Sequence, residues 1–139
     1  MFFRKIPSGY LVRLEKGEEV IESLSSLAEM EKIPGGFLYG LGAVKDVTLG
    51  YFDVANKKYV KKDFNDEYEV TSLVGDVYYL EGKPGVHAHV NLSGADFNLI
   101  GGHLFKGIIT GTGEFFIHTT DHTLERKSHP QSGLSLLDL

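Results

Sequence analysis

The sequence predicts an α+β domain: one large, mainly antiparallel and bent β-sheet with one principal amphipathic helix. Three observations carry this. Most of the 139 residues fall into stretches where apolar, β-prone residues alternate with polar ones, the period-2 mark of half-buried strands. Breaks bearing glycine, proline or asparagine separate these stretches at turn spacing. Only one segment, 18–32, spaces its apolar residues as a helix does. A chain of this length is predicted to be a single domain over 1–139, able to bury roughly two-thirds of its unfolded surface without staples.

The elements follow in order. "SGYLVRLE" (8–15) alternates and reads as a strand. In 18–32, Val20, Ile21, Leu24, Leu27 and Ala28 make a core-facing stripe, Glu18 and Glu19 suit the first turn, and Pro34-Gly35-Gly36 stops the helix. Gly40-Leu41-Gly42 lacks the third glycine and the Lys-Ser/Thr pair of a phosphate loop, so it is read as a strand bend or bulge. "VTLGYFDV" and "KKYVKKDF" form a hairpin around Ala55-Asn56-Lys57. Residues 68–82 make a long strand bent at Gly75, and Lys83-Pro84-Gly85 reads as the turn before "VHAHVNL". "SGADFN" is a short loop ahead of "LIGGHLFKG", and 107–120 is the last long strand. The leucines of the tail 127–139 predict that it docks rather than hangs free.

Composition removes several function classes. With no cysteine, disulfides, thiolate metal sites and cysteine nucleophiles are excluded, and a reducing compartment is suited. No apolar run reaches the roughly 18 residues of a membrane helix, so no membrane partner and a cytoplasmic location are expected. A formal charge of −5 is the wrong sign for a duplex binder, whose affinity comes mainly from phosphate contacts. The densest basic run, "NKKYVKK", is followed at once by acidic "DFNDEYE" and reads as a solvated hairpin face.

The chemistry lies in the histidines. On a strand His87 and His89 project from one face, with Asn91 next, while Val86, Ala88, Val90 and Leu92 enter the core. Gly101-Gly102 precedes a third histidine, His103, and frees space for a close backbone approach. If 99–104 runs beside 86–92, the three imidazoles complete a facial set. Without thiolates such a set suits Zn²⁺ first, with another divalent transition metal as the alternative, and it leaves a coordination position open. His118 and His122 are weaker ligand candidates. Among carboxylates, Glu114 in "GTGEFFIH" and Glu69 are the candidates for proton transfer, with Asp96 behind them. Ser93 and Thr110 have no nucleophile elbow, and Arg4, Arg13 and Arg126 all lie far from the histidines in sequence.

The runs "LVRLEKGEEVIESLSSLAEMEKIPGGFLYGLGAVKDVTLGYFD", "YEVTSLVGDV" and "HAHVNLSGADFNLIGGHLFKG" resemble the PPC domain, the plant and prokaryote conserved domain. The resemblance covers about residues 8 to 126 and is to the prokaryotic stand-alone form. It implies an α+β fold, a homotrimer built across sheet edges, and zinc held by His87, His89 and His103. It also brings a DNA-binding label, taken from plant members with AT-hooks. This chain has no Arg-Gly-Arg-Pro hook, and Glu67 stands where the plant signature has arginine, although Glu69 matches. Fold and histidine arrangement are also similar to acetolactate decarboxylase. Two readings follow. One is a trimeric zinc-binding module with a DNA-associated or regulatory role. The other is a zinc-dependent lyase or hydrolase, binding a small molecule at the metal.

Overall fold

The computed structural model describes residues 1–139. Its elements are β1 (Phe2–Ile6), β2 (Gly9–Glu15), α1 (Val20–Met30), β3 (Gly36–Asp53), β4 (Lys58–Phe64), β5 (Tyr68–Leu80), β6 (Lys83–Ser93), β7 (Leu99–Thr119), β8 (Arg126–His129) and β9 (Leu134–Leu137). The first seven strands form one sheet in the order β1-β2-β7-β6-β5-β3-β4, with β7 also paired to β3. The ladder therefore closes on itself through β3, β5, β6 and β7. Every pairing between these strands is antiparallel. One cluster of 23 buried apolar residues fills the interior, so the predicted α+β class, with one sheet-dominated domain, is what the molecule shows.

Helix α1 buries Val20, Leu24, Leu27 and Ala28, the stripe expected from their spacing, and packs on β6 and β7. Its first residue is Val20, so Glu19 is the cap and not part of the first turn. The Glu19 carboxylate accepts from Glu22 N at 2.6 Å and from Gly107 N at 2.9 Å, which ties the helix start to β7. The helix stops at Met30, and Lys32 turns left-handed at φ 50°, ahead of Pro34. The bulge expected at Gly40–Gly42 is present. The β3 register shifts there against both β5 and β7, and a side chain at Gly42 would strike Thr112 O at 2.4 Å.

Four local readings change. The β5–β6 turn is Glu81-Gly82, both at positive φ (52° and 78°), a two-residue hairpin that leaves Pro84 and Gly85 inside β6. The register shift in β5 lies between Val70 and Ser72, whereas Gly75 pairs evenly with Ala88. Residues 99–119 form one continuous strand, bent against β3 by successive register shifts. Phe2–Ile6, not read as a strand, pairs with β2. The tail folds into the β8–β9 hairpin, and Tyr79 N donates to Leu124 O at 2.7 Å beside it.

Gly75 is required by space, not by a bend. A Cβ there would lie 2.0 Å from the carbonyl oxygen of His87, a backbone atom fixed in the ladder. Gly75→Ala is expected to cost about 1–3 kcal/mol or more by overpacking, read as a lowered midpoint in urea unfolding.

Candidate metal centre

The site starts from the pleat of β6. Val86, Ala88, Val90 and Leu92 are buried beneath α1, and His87, His89 and Asn91 take the outer face, as the alternation predicted. Antiparallel pairing then sets His89 directly opposite His103 on β7. The two glycines before His103 allow this. A Cβ at Gly101 would lie 2.6 Å from Val90 O, and one at Gly102 would lie 2.8 Å from Gly50 O. Both flanking backbones close on β7 where side chains are missing.

The three rings form a nearly equilateral triangle, with centroids 5.2 Å (His87–His89), 5.1 Å (His87–His103) and 5.5 Å (His89–His103) apart. One ligand nitrogen from each lies within 4.8 Å of the others. His103 packs against both Tyr59 and Phe105, at centroid distances of 4.9 and 4.5 Å. Its Nδ1 is buried and has no hydrogen-bond partner. Burial first, then the neighbouring His87, His89, Lys61 and Arg126, pushes the His103 pKa down to about 4. Burial and then His87 lower that of His89 as well. Imidazoles ligate metals in the neutral form, so the depressed values and the unanswered nitrogen both fit a metal-binding set.

A carboxylate and an arginine complete the surroundings. Asp76 on β5 is paired with His87 across the ladder, and its Oδ2 lies 3.2 Å from His87 Nδ1. Arg126, at the start of β8, donates through Nη2 to both Asp76 oxygens (3.0 and 2.8 Å) and through Nη1 to Ser135 O at 3.0 Å. Its Nη2 is also 2.9 Å from His87 Nδ1. Burial alone would raise the Asp76 pKa, but hydrogen bonds to His87 and Arg126 outweigh it and hold the group below the usual carboxylate range. A metal-bound histidine typically gives its second N–H to a carboxylate, and Asp76 offers that acceptor in the tautomer with the proton on His87 Nδ1 and Nε2 free; in the other tautomer Nδ1 accepts from Arg126 instead. A cleft of about 510 Å³ opens over the three rings, walled by Phe52, Tyr59 and the β9 leucines.

Of the residues singled out in the sequence, His87, His89 and His103 are brought together. Glu114 is exposed on the far part of β7, opposite Arg13 and Leu41, and Glu69 is exposed opposite Ser93. Neither reaches the histidines. His118 is exposed, with its ring stacked on Tyr39, and His122 lies in an exposed bend. Asp96 serves its own loop by accepting from Asn98. Arg126, distant in sequence, is the arginine of the site, because the tail returns over β5 and β6. Asp76 was legible only through register, since the Glu81-Gly82 turn sets residue 76 across from 87. No helix is long and apolar enough to cross a membrane.

His103 gives a direct check. Its folded pKa is depressed, whereas in the unfolded chain it protonates near 6.5. Stability present above pH 6.5 is therefore lost as pH falls toward 4, because the unfolded state takes up the proton first. An NMR titration of metal-free protein should show the His103 ring neutral at pH 5.5; a midpoint near 6.5 contradicts the burial argument.

Comparison with known proteins agrees with the fold. The Plants and Prokaryotes Conserved (PCC) domain model matches residues 1–121. A solved structure from Ralstonia eutropha, described as a "putative DNA-binding protein", is 29% identical, covering 99% of this chain and 95% of its own, with a TM-score of 0.91. A plant- and prokaryote-conserved (PPC) protein from Pyrococcus horikoshii is 31% identical, covering 99% and 95%, with a TM-score of 0.88. A metal-containing protein from Archaeoglobus fulgidus is also 31% identical, covering 100% and 99%, with a TM-score of 0.88. No curated protein matches. The chain, matched along most of its length, belongs to the Plants and Prokaryotes Conserved (PCC) domain family.

Proposed function

We propose that this chain is a metal-binding protein that holds one zinc ion per subunit through His87, His89 and His103 and works as a homotrimer. The observation that carries the reading is the triangle of imidazoles, whose ligand nitrogens lie within 4.8 Å of each other, with His103 Nδ1 buried and unpartnered. The metal content of the Archaeoglobus relative supports it. Neutral nitrogen ligands without thiolates favour zinc over softer or harder ions. When bound, the ion supplies Lewis acidity at a position that no protein side chain fills. Asp76 orients His87, and Arg126 holds Asp76 in place.

Self-association is supported by the outer face of the sheet. Cross-strand register lines up Val74, Tyr39 and Phe116, with Phe37 and Leu41 on the same strand face as Tyr39. All five are at least 39% exposed, and Tyr39 and Phe116 stack at 5.1 Å. A contiguous apolar face of this kind is what a symmetric oligomer covers. The row continues from Val74 to His89, so the interface would adjoin the metal.

Duplex DNA enters only through the description of relatives. A net charge of −5 and the absence of an Arg-Gly-Arg-Pro hook weigh against direct phosphate contact. The second reading is a zinc-dependent lyase or hydrolase with a site like that of acetolactate decarboxylase. The open cleft over the histidines favours it, although Glu114 and Glu69 take no part in that cleft. The cysteine-free composition suits the cytoplasm, which we take as the compartment.

Native mass spectrometry of protein purified with zinc tests metal and assembly together. The expected species is a trimer with one ion per subunit, and His89→Ala should lose the ion while the trimer persists. Asp76→Asn is expected to weaken zinc binding by about 10–100-fold. Equal metal in wild type and His89→Ala, or none in either, overturns the metal reading; a metal-loaded monomer overturns the assembly.

A further inference from the structure

The cleft has a chemical character that the histidines alone do not specify. It is lined by His87, His89 and His103 together with Phe52 from β3 and Leu134 and Leu136 from β9. The strand β9 belongs to the C-terminal hairpin, beyond residues 1–121 that the family model matches. No carboxylate lines the cleft. Arg126 does line it, with its charge offset by Asp76 behind, and Lys61 Nζ adds a second cation nearby, 3.7 Å from the Phe105 ring centroid. Three neutral imidazoles and a divalent ion would therefore leave an uncompensated positive charge in the cleft. Aromatic and aliphatic side chains share its lining.

We propose that this cleft binds a small organic monoanion, its carboxylate directed at the open metal position and its apolar body against Phe52, Leu134 and Leu136. Leu134 is then a specificity-determining residue. The inference rests on the metal reading above and deepens it by naming the ligand class. A neutral molecule of the same shape leaves the positive charge unanswered, and a bare acetate leaves the leucine wall unused. A volume of about 510 Å³ is in the range of small-molecule pockets and admits an acid with a single ring.

The test uses the full chain loaded with Co²⁺, whose visible bands report ligands entering the metal's coordination. Three probes are titrated: 3-phenylpropanoate, acetate, and the neutral alcohol 3-phenylpropanol. The expected result is a band shift with 3-phenylpropanoate at about tenfold lower concentration than acetate, and none with the alcohol. In Leu134→Ser, titrated at saturating Co²⁺, the two carboxylates should become equal within about threefold. Leu134 is half-buried on a terminal hairpin, so this variant is expected to fold; Leu136→Ser provides a second, more exposed substitution. Normal Co²⁺ bands with no carboxylate effect, equal binding of acid and alcohol, or an unaltered preference in both variants overturn the ligand class and leave the metal site standing. Absence of Co²⁺ bands in the wild type overturns both.

Discussion

The pleat of β6 is the constraint on which the rest depends. One set of alternate residues, Val86, Ala88, Val90 and Leu92, is buried beneath α1, and the other set places His87 and His89 outside. A one-residue slip would exchange the two sets. Exposing Val86, Val90 and Leu92 would cost about 1.5–3 kcal/mol each, a sum comparable to the whole stability of a domain of this size. The core therefore fixes the geometry of the histidines, and the hydrophobic effect alone brings the three imidazoles together. The close approach of Gly75 to His87 O, and of Gly101 to Val90 O, holds the two neighbouring strands tightly against β6.

Electrostatics then separate the three imidazoles. His103 is deepest, packed against two aromatic rings, and its pKa of about 4 keeps it neutral across the physiological range. His87 is the one in contact with a carboxylate, and that carboxylate is in turn clamped by an arginine from the tail. Asp76 and Arg126 have side-chain exposures of only 16% and 12%, so their pairing is less screened than a surface ion pair. The C-terminal hairpin is thus coupled to the site through a named contact, and any displacement of the hairpin would release Asp76 and loosen His87.

Much of this was legible in the sequence, for physical reasons. Period-2 alternation in "VHAHVNL" sorts core from site without further information, and helical spacing in 18–32 identifies α1. Gly40–Gly42 could be read as a bulge because glycine is the residue that a crowded ladder tolerates. What was not legible depended on register and on chain return. Reading the turn at Lys83-Pro84-Gly85 hid the pairing of Asp76 with His87, because a two-residue turn at Glu81-Gly82 changes every cross-strand partner. Arg126 lies 39 residues beyond His87 in the chain, and no local pattern announces that the tail folds back. Glu114 stood out because it interrupts an apolar strand, yet its face of β7 is open to solvent at that point.

On the proposed reading, three histidines and no other side chains hold one metal ion. X-ray absorption at the zinc edge of the purified protein measures this most directly. Nitrogen or oxygen neighbours at about 2.0–2.1 Å and outer-shell scattering from three imidazoles are expected. Scattering from one imidazole or none, in protein shown to contain zinc, would contradict it.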